Sequence, residues 1–544
     1  MKKSVAVIGA GSSGLAAIKA CKEEGIDVIC FEKSGRVGGL WHYNEENDSP
    51  SVMKSTVINT HKEMTAFSDF PPPSHFQNYM HNSQIKQYLY MYAENFDLLS
   101  HIRYKHEVVD VSKVYNYNET GRWKVTFKIL EQQEILEEIF DGVMLCSGHH
   151  VFSRMPNIEG LNLFQGQILH SQSLKTPDAF KGLKVLVIGI GNSGVDAAVE
   201  LSNVAEQVYL STRRGAWVFT RSGLEGMPYD ALLSNRLFNF CIKLFGWKIG
   251  SWILEEYVLN KSFNHEFYGL KPKHRALSQH PTINDCLASK ILSGRIILKG
   301  NVNFFSTNGV SFEGENSNIF IDAVIFATGY KITFPFIHES ILNTTDNEVE
   351  LYKLTFSPEL KYPSLIVIGL AQPLGSIFPI AEAQSRWFAL LMKEKVKLPD
   401  YERMKEEIYR RKKALKERYV NSPRHTIQVD YINFMDDITS EYNATPNMTK
   451  MLFSDPILFF ACLLGPSLPY QYRIQGPHCW PKARETILKF PSRVVLPLTN
   501  KLSRPHYSHF ESLRILKFFP IWLTLPIILL IIYLWIVLIT SCFF

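Results

Sequence analysis

"SVAVIGAGSSG", residues 4–14, decides the fold of this chain. Residues 4–8 predict a short β-strand, and "LAAIKACKEEG" at 15–25 predicts a helix. Between them, Gly9, Gly11 and Gly14 fit the pattern G-x-G-x-x-G. The first glycine permits a tight turn, the second lets a pyrophosphate approach the backbone, and the third lets helix and strand pack closely. Phosphates bind at the helix N-terminus, where free N–H groups and the helix dipole favour anions.

An acidic residue completes this unit. The second strand, "DVICFE" at 27–32, ends in Glu32, 18 residues after Gly14. A carboxylate there accepts hydrogen bonds from the ribose hydroxyls of an ADP moiety. Strand, glycines, helix, strand and acid in register predict a dinucleotide site. Its candidate residues are Gly9, Ala10, Gly11, Ser12, Ser13, Gly14 and Glu32.

A second copy of the pattern ends differently. "KVLVIGIGNSG" at 184–194 precedes a helical stretch and the strand "VYLSTRR" at 208–214. Arginines replace the acid, either as a solvated surface or as partners of a 2′-phosphate, which a carboxylate would repel. Their place at the end of the strand favours the phosphate, so we predict NADP(H) here and FAD at the first site. The candidates are Gly189, Gly191, Asn192, Ser193, Gly194, Val195, Asp196, Thr212, Arg213 and Arg214.

Three further stretches support a flavin and define the architecture. In "RVGGLW" at 36–41, Gly38 and Gly39 let the backbone run close to a flavin, followed by Leu40 and Trp41. "VMLCSGHH" at 143–150 and "AVIFATGY" at 323–330 are apolar strands whose turns return the chain from one dinucleotide domain to the other. We therefore predict an α/β fold with two Rossmann-like domains, the NADP domain inserted in the FAD domain, followed by a transmembrane helix.

The predicted boundaries follow from these motifs. They are 1–150 for the first part of the FAD domain, 151–329 for the NADP domain with an insertion at about 215–290, 330–445 for the second part of the FAD domain, 446–512 for a membrane-proximal region and 513–542 for a tail anchor. Within the insertion, residues 231–257 are rich in Leu, Phe and Trp. They predict a substrate tunnel, a membrane-surface segment or a buried helix pair.

Composition excludes several classes of protein. The net charge of +6 comes from scattered basic residues, which argues against nucleic-acid binding. Eight cysteines contain no C-x-x-C pair, so we predict no metal site and no disulfide framework. A flavin disulfide oxidoreductase would need such a pair. Lys2 and Lys3 followed by an apolar stretch resemble the start of a signal peptide. We expect no cleaved signal peptide, because its removal would destroy the first glycine turn.

The C-terminal segment predicts a membrane anchor. "IWLTLPIILLIIYLWIVLIT" at 521–540 lies in a stretch without charge and is about as long as the ~20 apolar residues that span a bilayer. Arg504, Arg514 and Lys517 precede it, and nothing basic follows. The positive-inside rule then places the large N-terminal part in the cytosol.

These motifs together resemble the flavin-containing monooxygenase family, of the microsomal, dimethylaniline N-oxide-forming type, over essentially the whole chain. The resemblance rests on "GAGSSG", "GGLW", "INTHKEM" at 58–64, "YMHNS" at 79–83, "GIGNSG", "FATGY" and the apolar tail. The family's identifying stretch appears as "FQGQILHSQSL", where Phe164, Gly166 and His170 match. Leu174 stands where the family has Tyr or Phe.

The resemblance implies an activity and a location. NADPH reduces FAD, O2 reacts with the reduced flavin, and the resulting C4a-hydroperoxyflavin oxygenates a small nitrogen- or sulfur-containing nucleophile. It also implies the endoplasmic reticulum membrane, with the catalytic part facing the cytosol. Two alternatives remain: Baeyer–Villiger oxygenation of ketones by the same intermediate, and a silent membrane flavoprotein that leaks H2O2, which Leu174 leaves open. The oligomeric state is not predicted.

The family's flavin-edge asparagine maps to Asn59, followed by Thr60. An amide can donate a hydrogen bond there without titrating, which makes Asn59 the candidate catalytic residue. His81 and Asn82 are predicted to line the same cavity. His149, His150 and His170 are expected to be structural, because this chemistry needs no strong protein base.

Overall fold

Two parallel β-sheets carry the two glycine-rich turns. A computed structural model describes residues 2–46, 49–223, 226–420 and 422–498. The first sheet has the spatial strand order Leu365–Val367, Gly142–Leu145, Ser4–Ile8, Asp27–Glu32 and Ile102–Tyr104. The second has the order Ile296–Lys299, Gln207–Ser211, Lys184–Ile188, Ala323–Phe326 and Gln167–His170. All neighbouring strands in both sheets run parallel.

The second sheet is nested in the sequence of the first. Its strands all lie between Gly142–Leu145 and Leu365–Val367 of the first sheet. The two connecting segments pair antiparallel, with Tyr330 opposite Ser153. The chain therefore leaves and re-enters the first sheet through one short two-stranded ladder.

Smaller sheets flank the two large ones. One antiparallel sheet contains His106–Lys113, Trp123–Ile129 and Glu134–Phe140, and another contains Val302–Ser306, Gly309–Phe312 and Asn318–Phe320. Two short parallel pairs join Val218–Phe219 to Thr282–Ile283 and Gln372–Pro373 to Gln428–Val429. The first of these pairs brings the two ends of the 215–290 insertion together.

Helices cover both large sheets. The α-helices are Ser12–Glu23, Lys62–Thr65, Asn82–Asn95, Tyr117–Thr120, Asn192–Leu201, Tyr229–Leu233, Arg236–Phe245, Trp247–Leu254, Asn260–Ser262, Leu287–Leu292, Ile377–Met392, Tyr401–Arg418, Tyr431–Ser440, Met448–Ser454, Pro456–Leu464, Ala483–Leu488 and Phe490–Val495. Glu255–Leu259 is π-helical, and 3₁₀ turns lie at Gly39–Trp41, Leu99–His101, Leu161–Leu163, Asp178–Phe180, Ala276–Ser278, Thr345–Asn347, Pro469–Arg473 and Leu496–Leu498. Ile377–Met392 is buried along nearly its whole length and packs against Ser12–Glu23.

The predicted membrane-spanning segment at 513–542 lies outside the described residues. Among the residues that are described, no helix is long and apolar enough to cross a bilayer. The four helices between Met448 and Val495 belong to the region predicted at 446–512, which is described as far as Leu498.

Close packing at the first glycine turn predicts that two alanine substitutions differ in their effect on stability. A Cβ on Gly14 would lie 1.9 Å from the carbonyl oxygen of Gly9, a contact that backbone must move to relieve. Gly14→Ala should therefore lower the apparent melting temperature, since overpacking of this kind costs about 1–3 kcal/mol or more. Gly11 has φ −73°, and its Cβ would meet only Gly39 Cα at 3.8 Å. In FAD-free protein, where cofactor binding adds nothing to stability, Gly11→Ala should melt like the wild type. Equal melting of both FAD-free variants would contradict the packing explanation.

Candidate active site

The first glycine turn, Gly9–Gly14, lies against the glycine pair Gly38–Gly39. Gly38 N donates to Ala10 O at 3.0 Å, and a Cβ on Gly39 would lie 3.2 Å from Gly11 Cα. Close by, the buried Oγ of Ser147 has no hydrogen-bond partner among the described residues. The structure thus brings together the two glycine stretches of the predicted FAD site. Glycine backbone without side chains, beside an unused hydroxyl, fits a phosphate-bearing cofactor.

Glu32 lies at the end of its strand, beside this turn. Its Oε2 accepts from Ala10 N at 2.7 Å, and its Oε1 accepts from Ser34 N at 2.8 Å and Ser34 Oγ at 2.7 Å. These bonds hold the carboxylate in one orientation. A carboxylate has about four acceptor positions, so it retains capacity for ribose hydroxyls.

The second glycine turn repeats the packing of the first. A Cβ on Gly194 would lie 1.9 Å from Gly189 O. The side chains that follow serve the fold. Asn192 Oδ1 accepts from Ile283 N at 2.7 Å, Asp196 Oδ1 accepts from Asn284 Nδ2 at 2.9 Å, and Val195 is fully buried. Burial raises the pKa of Asp196 to about 6. Asn192 and Asp196 therefore tie the insertion to the glycine-turn helix.

Positive charge collects beside the second turn. Arg213 and Arg214 are exposed, and Thr212 Oγ1 accepts from Gly215 N at 3.1 Å. Arg424, which the sequence argument missed, donates to Ala327 O at 3.2 Å and has Nη1 3.8 Å from the Cβ position of Gly191. Surrounding protein and the like charges of Arg213 and Arg154 lower the pKa of Arg424. Such a cluster fits a polyanionic cofactor.

One cavity of about 250 Å³ joins the predicted catalytic loop to the second glycine turn. Asn59, Thr60 and Asn192 all line it. The insertion contributes an apolar wall, and residues 330–445 contribute another. The apolar lining residues include Leu233, Phe238, Ile242, Leu254, Leu374 and Ile432.

Asn59 is held in the cavity wall by an arginine of the insertion. Its Oδ1 accepts from Arg221 Nη2 at 2.6 Å. Asp285 fixes Arg221 in turn, through Nη1 to Oδ2 at 2.7 Å and backbone N to Oδ1 at 2.7 Å. Because Arg221 occupies the carbonyl side of the amide, the Nδ2 of Asn59 remains available as a donor.

A half-buried carboxylate supports the same loop. Asp230 Oδ2 accepts from His61 N at 2.6 Å, and its Oδ1 accepts from Tyr79 OH at 2.8 Å. Burial raises the pKa of Asp230 and lowers that of His61 to about 3. His61 is therefore a neutral, structural imidazole near pH 7.

His81 and Asn82 were predicted to line the cavity, and this prediction is wrong. Asn82 Nδ2 donates to Lys54 O at 2.8 Å, and His81 Nε2 contacts the same carbonyl oxygen at 2.8 Å. Both side chains are used to bind backbone near the start of helix Asn82–Asn95, and neither lines the cavity. They shape the chain segment that leads to Asn59.

The other histidines and Leu174 have structural surroundings. Burial lowers the pKa of His149, His150 and His170, and His170 Nε2 lies 3.1 Å from Gly329 O. Leu174, at the position of the family's aromatic residue, is 2% exposed in the core of the second sheet.

The insertion helices have two apolar faces. One face lines the cavity through Phe238, Ile242 and Leu254. The other exposes Phe240, Leu244, Phe245, Ile249, Trp252 and Tyr257. Of the three interpretations of residues 231–257, a fully buried helix pair is therefore wrong, because both a cavity wall and a large exposed apolar face are present.

Two parallel sheets with glycine turns, nested in one chain and joined by a cavity, define a flavoprotein of the two-dinucleotide type. Residues 2–535 match the model of the family described as FMO-like, flavin-binding monooxygenase-like. The chain belongs to this family. It is an FAD-containing, NADPH-dependent monooxygenase.

Individual comparisons agree with this membership. Mouse flavin-containing monooxygenase 5 is 47% identical over 505 residues, which cover 92% of this chain and 94% of the relative. The structure of S-allyl-L-cysteine S-oxygenase from Allium sativum has a TM-score of 0.62 at 22% identity, covering 90% of this chain and 99% of that one. Cyclohexanone monooxygenase from Rhodococcus, bound to NADP+, has a TM-score of 0.58 at 16% identity, covering 81% and 97%. The two structures support the fold.

The arginine cluster predicts selective loss of one cofactor. Arg213→Ala should raise the KM for NADPH by the worth of a charge-assisted pair, about 1.5–3 kcal/mol or roughly 10- to 150-fold, and leave the KM for NADH nearly unchanged. Arg410→Ala is the matched control, because that arginine lies on helix Tyr401–Arg418 with its side chain 69% exposed. Steady-state kinetics with both cofactors make the measurement. A similar rise for NADH and NADPH would contradict the assignment of Arg213 to the 2′-phosphate.

Proposed function

We propose that the chain oxygenates small, soft nucleophiles, such as amines and sulfides, in the cavity beside Asn59. The observation that carries this proposal is the position of Asn59. It stands in the wall of a largely apolar cavity with its amide N–H groups available, and the second glycine turn contributes Asn192 to the same cavity. The S-oxygenase from garlic is named for a sulfide-containing amino acid, which agrees with this substrate class.

The two cofactors are assigned by charge. In the proposed arrangement FAD lies along Gly9–Gly14, Glu32 and Gly38–Gly39, within units 1–150 and 330–445. NADP lies along Gly189–Gly194, within unit 151–329, with its 2′-phosphate against Arg213, Arg214 and Arg424. Bound FAD, once reduced by NADPH, would activate O2, of which one oxygen atom would go to the substrate and the other to water.

The chain's own contribution is positioning and exclusion of water. The amide of Asn59 offers a fixed, uncharged donor at the flavin edge, because its other end is bonded to Arg221. Asp230 accepts from His61 N and Tyr79 OH, and through these two bonds it holds the loop in place. The apolar walls from the insertion keep bulk water from the reacting centre.

Membrane attachment forms a second part of the proposal. Segment 513–542 is proposed to anchor the chain in the endoplasmic reticulum membrane, with residues 1–512 on the cytosolic side. The exposed face formed by Phe240, Leu244, Phe245, Ile249, Trp252 and Tyr257 is proposed to rest on the same bilayer, where aromatic and aliphatic side chains are stable.

Asn59→Leu tests the catalytic proposal at nearly constant side-chain volume. FAD content and flavin reduction by NADPH should remain close to wild type, whereas product formed per NADPH consumed should fall, with H2O2 as the missing product. Loss of one preorganised donor costs on the order of 10²-fold in rate. An alkyl aryl sulfide, a tertiary amine and a ketone should be assayed in parallel. An unchanged ratio contradicts the role of Asn59, and oxygenation of the ketone alone contradicts the substrate class.

Removal of the predicted anchor tests the membrane proposal. A chain ending at Glu511 should remain folded and yellow, because the residues removed contain the apolar segment that is proposed to lie in the bilayer. The full-length chain should stay in the membrane pellet after carbonate extraction. The shortened chain should still bind vesicles weakly through the insertion helices, and Trp252→Ser with Phe245→Ser should abolish that binding. Release of the full-length chain by carbonate would rule out a spanning segment.

A further inference from the structure

The last described α-helix, Phe490–Val495, uses one face to contact the catalytic loop, residues 58–64, which carries Asn59. Phe490, Arg493 and Val494 are spaced i, i+3 and i+4 on helix Phe490–Val495 and therefore share a face. The ring of Phe490 packs edge-on against His61 with centroids 5.5 Å apart. Val494 O accepts from Asn78 Nδ2 at 2.9 Å. The membrane-proximal region is thus bound to the residues around Asn59.

The third contact is a buried ion pair. Glu63 is fully buried, and its Oε1 lies 2.8 Å from Arg493 Nε. Its Oε2 accepts from Tyr470 OH at 2.7 Å. A buried carboxylate is costly unless a counter-ion pairs with it, so Arg493 sets where Glu63 can lie. Arg493 Nη2 also donates to Pro72 O at 2.5 Å, which fixes the guanidinium.

Glu63 transmits this constraint over a short stretch of chain. It belongs to helix Lys62–Thr65, whose N-cap is His61. Glu63 N donates to His61 Nδ1 at 3.2 Å, and Thr65 Oγ1 donates to Thr60 O at 3.3 Å. Asn59 directly precedes Thr60. A displacement of Glu63 therefore moves the backbone that orients the Asn59 amide.

A second route from the same helix reaches the same turn. The Oδ1 of Asn78 accepts from His61 Nε2 at 3.2 Å, and its Nδ2 donates to Val494 O. Asn78 therefore bridges His61 to helix Phe490–Val495. Asn78 O also accepts from Lys62 N at 2.7 Å. Phe490, Val494 and Met64 belong to one apolar cluster. Polar and apolar contacts thus fasten the two helices at several points.

We infer that Arg493 is a positioning residue for oxygenation, acting through Glu63 on the loop that carries Asn59. The inference rests on the proposed role of Asn59. It gives the C-terminal region a part in the reaction that is separate from membrane attachment. A purely structural ion pair would affect stability and FAD content alone. A positioning pair affects the fraction of NADPH electrons that reach product.

The test is the ratio of product to NADPH consumed in full-length Arg493→Ala, with FAD content and the rate of flavin reduction measured on the same samples. We expect the ratio to fall on the order of tenfold, less than the ~10²-fold that a 1 Å misplacement of a reacting group costs. Flavin reduction should stay within about twofold of wild type, since NADPH binds the other sheet. The matched control is Arg484→Ala. Arg484 pairs with Asp455 on the neighbouring helix, half exposed and away from the loop.

Two comparisons separate this inference from the proposed function. If Arg493 acts through Asn59, the double variant Arg493→Ala with Asn59→Leu should form as much product per NADPH consumed as Asn59→Leu alone. The effects of the two substitutions on this ratio are then not additive. A wild-type ratio in Arg493→Ala beside an uncoupled Asn59→Leu overturns the inference and leaves the proposed function standing. A wild-type ratio in Asn59→Leu contradicts the role that the proposed function gives to Asn59.

Conservative variants keep the test decisive if Arg493→Ala fails to retain FAD. Arg493→Lys preserves a charge near Glu63 but cannot also hold Pro72 O in the same fork geometry. Glu63→Gln removes the charge at constant size. Both should be uncoupled, Glu63→Gln more strongly. Wild-type coupling in both variants overturns the inference.

Discussion

The hydrogen bond from Arg221 to Asn59 is the contact that fixes the Asn59 amide in the cavity wall. It joins the insertion in the second sheet's domain to a loop next to the first sheet, across 162 positions of sequence. Asp285 fixes the side chain of Arg221. The segments that carry Arg221 and Asp285 are themselves joined by the short strand pair Val218–Phe219 and Thr282–Ile283. Asp230 of the insertion also accepts from His61 N of the same loop, so loss of the Arg221 contact would release the Asn59 amide while the insertion stays bound to the loop. The local glycine-turn geometry would survive.

Local sequence predicted the two strand–turn–helix units, because each is encoded within about 30 neighbouring residues. The strands Ser4–Ile8 and Lys184–Ile188 and the glycine contacts at Gly14 and Gly194 all follow from spacing. The partners of Asn59 and Glu63 were not predicted, because they come from remote parts of the chain. Arg424 was missed for the same reason. Its position beside Gly191 depends on the return of the chain to the first sheet, which no local pattern records.

The insertion shows why composition alone left residues 231–257 undecided. A helix pair that is apolar all round is consistent with a buried core, a membrane surface or a tunnel wall. Here helices Arg236–Phe245 and Trp247–Leu254 have apolar residues on two faces for two different reasons. The inner face walls the cavity, and the outer face is exposed. On our proposal, the same short segment therefore adjoins both the reacting centre and the lipid surface.

On our proposal, the contrast between the two strand ends keeps two similar cofactors apart in one chain. Glu32 is held by Ala10 and Ser34, so its negative charge is in place before any ligand arrives. A 2′-phosphate there would be repelled. Near Gly191, burial and the like charges of Arg213 and Arg154 lower the pKa of Arg424. A bound phosphate removes that repulsion and gains charge-assisted bonds, whereas a cofactor without the phosphate gains neither. Each site therefore distinguishes FAD from NADP by charge, because the wrong cofactor leaves the charges of the site repelled or unpaired. The two glycine turns can then have the same shape.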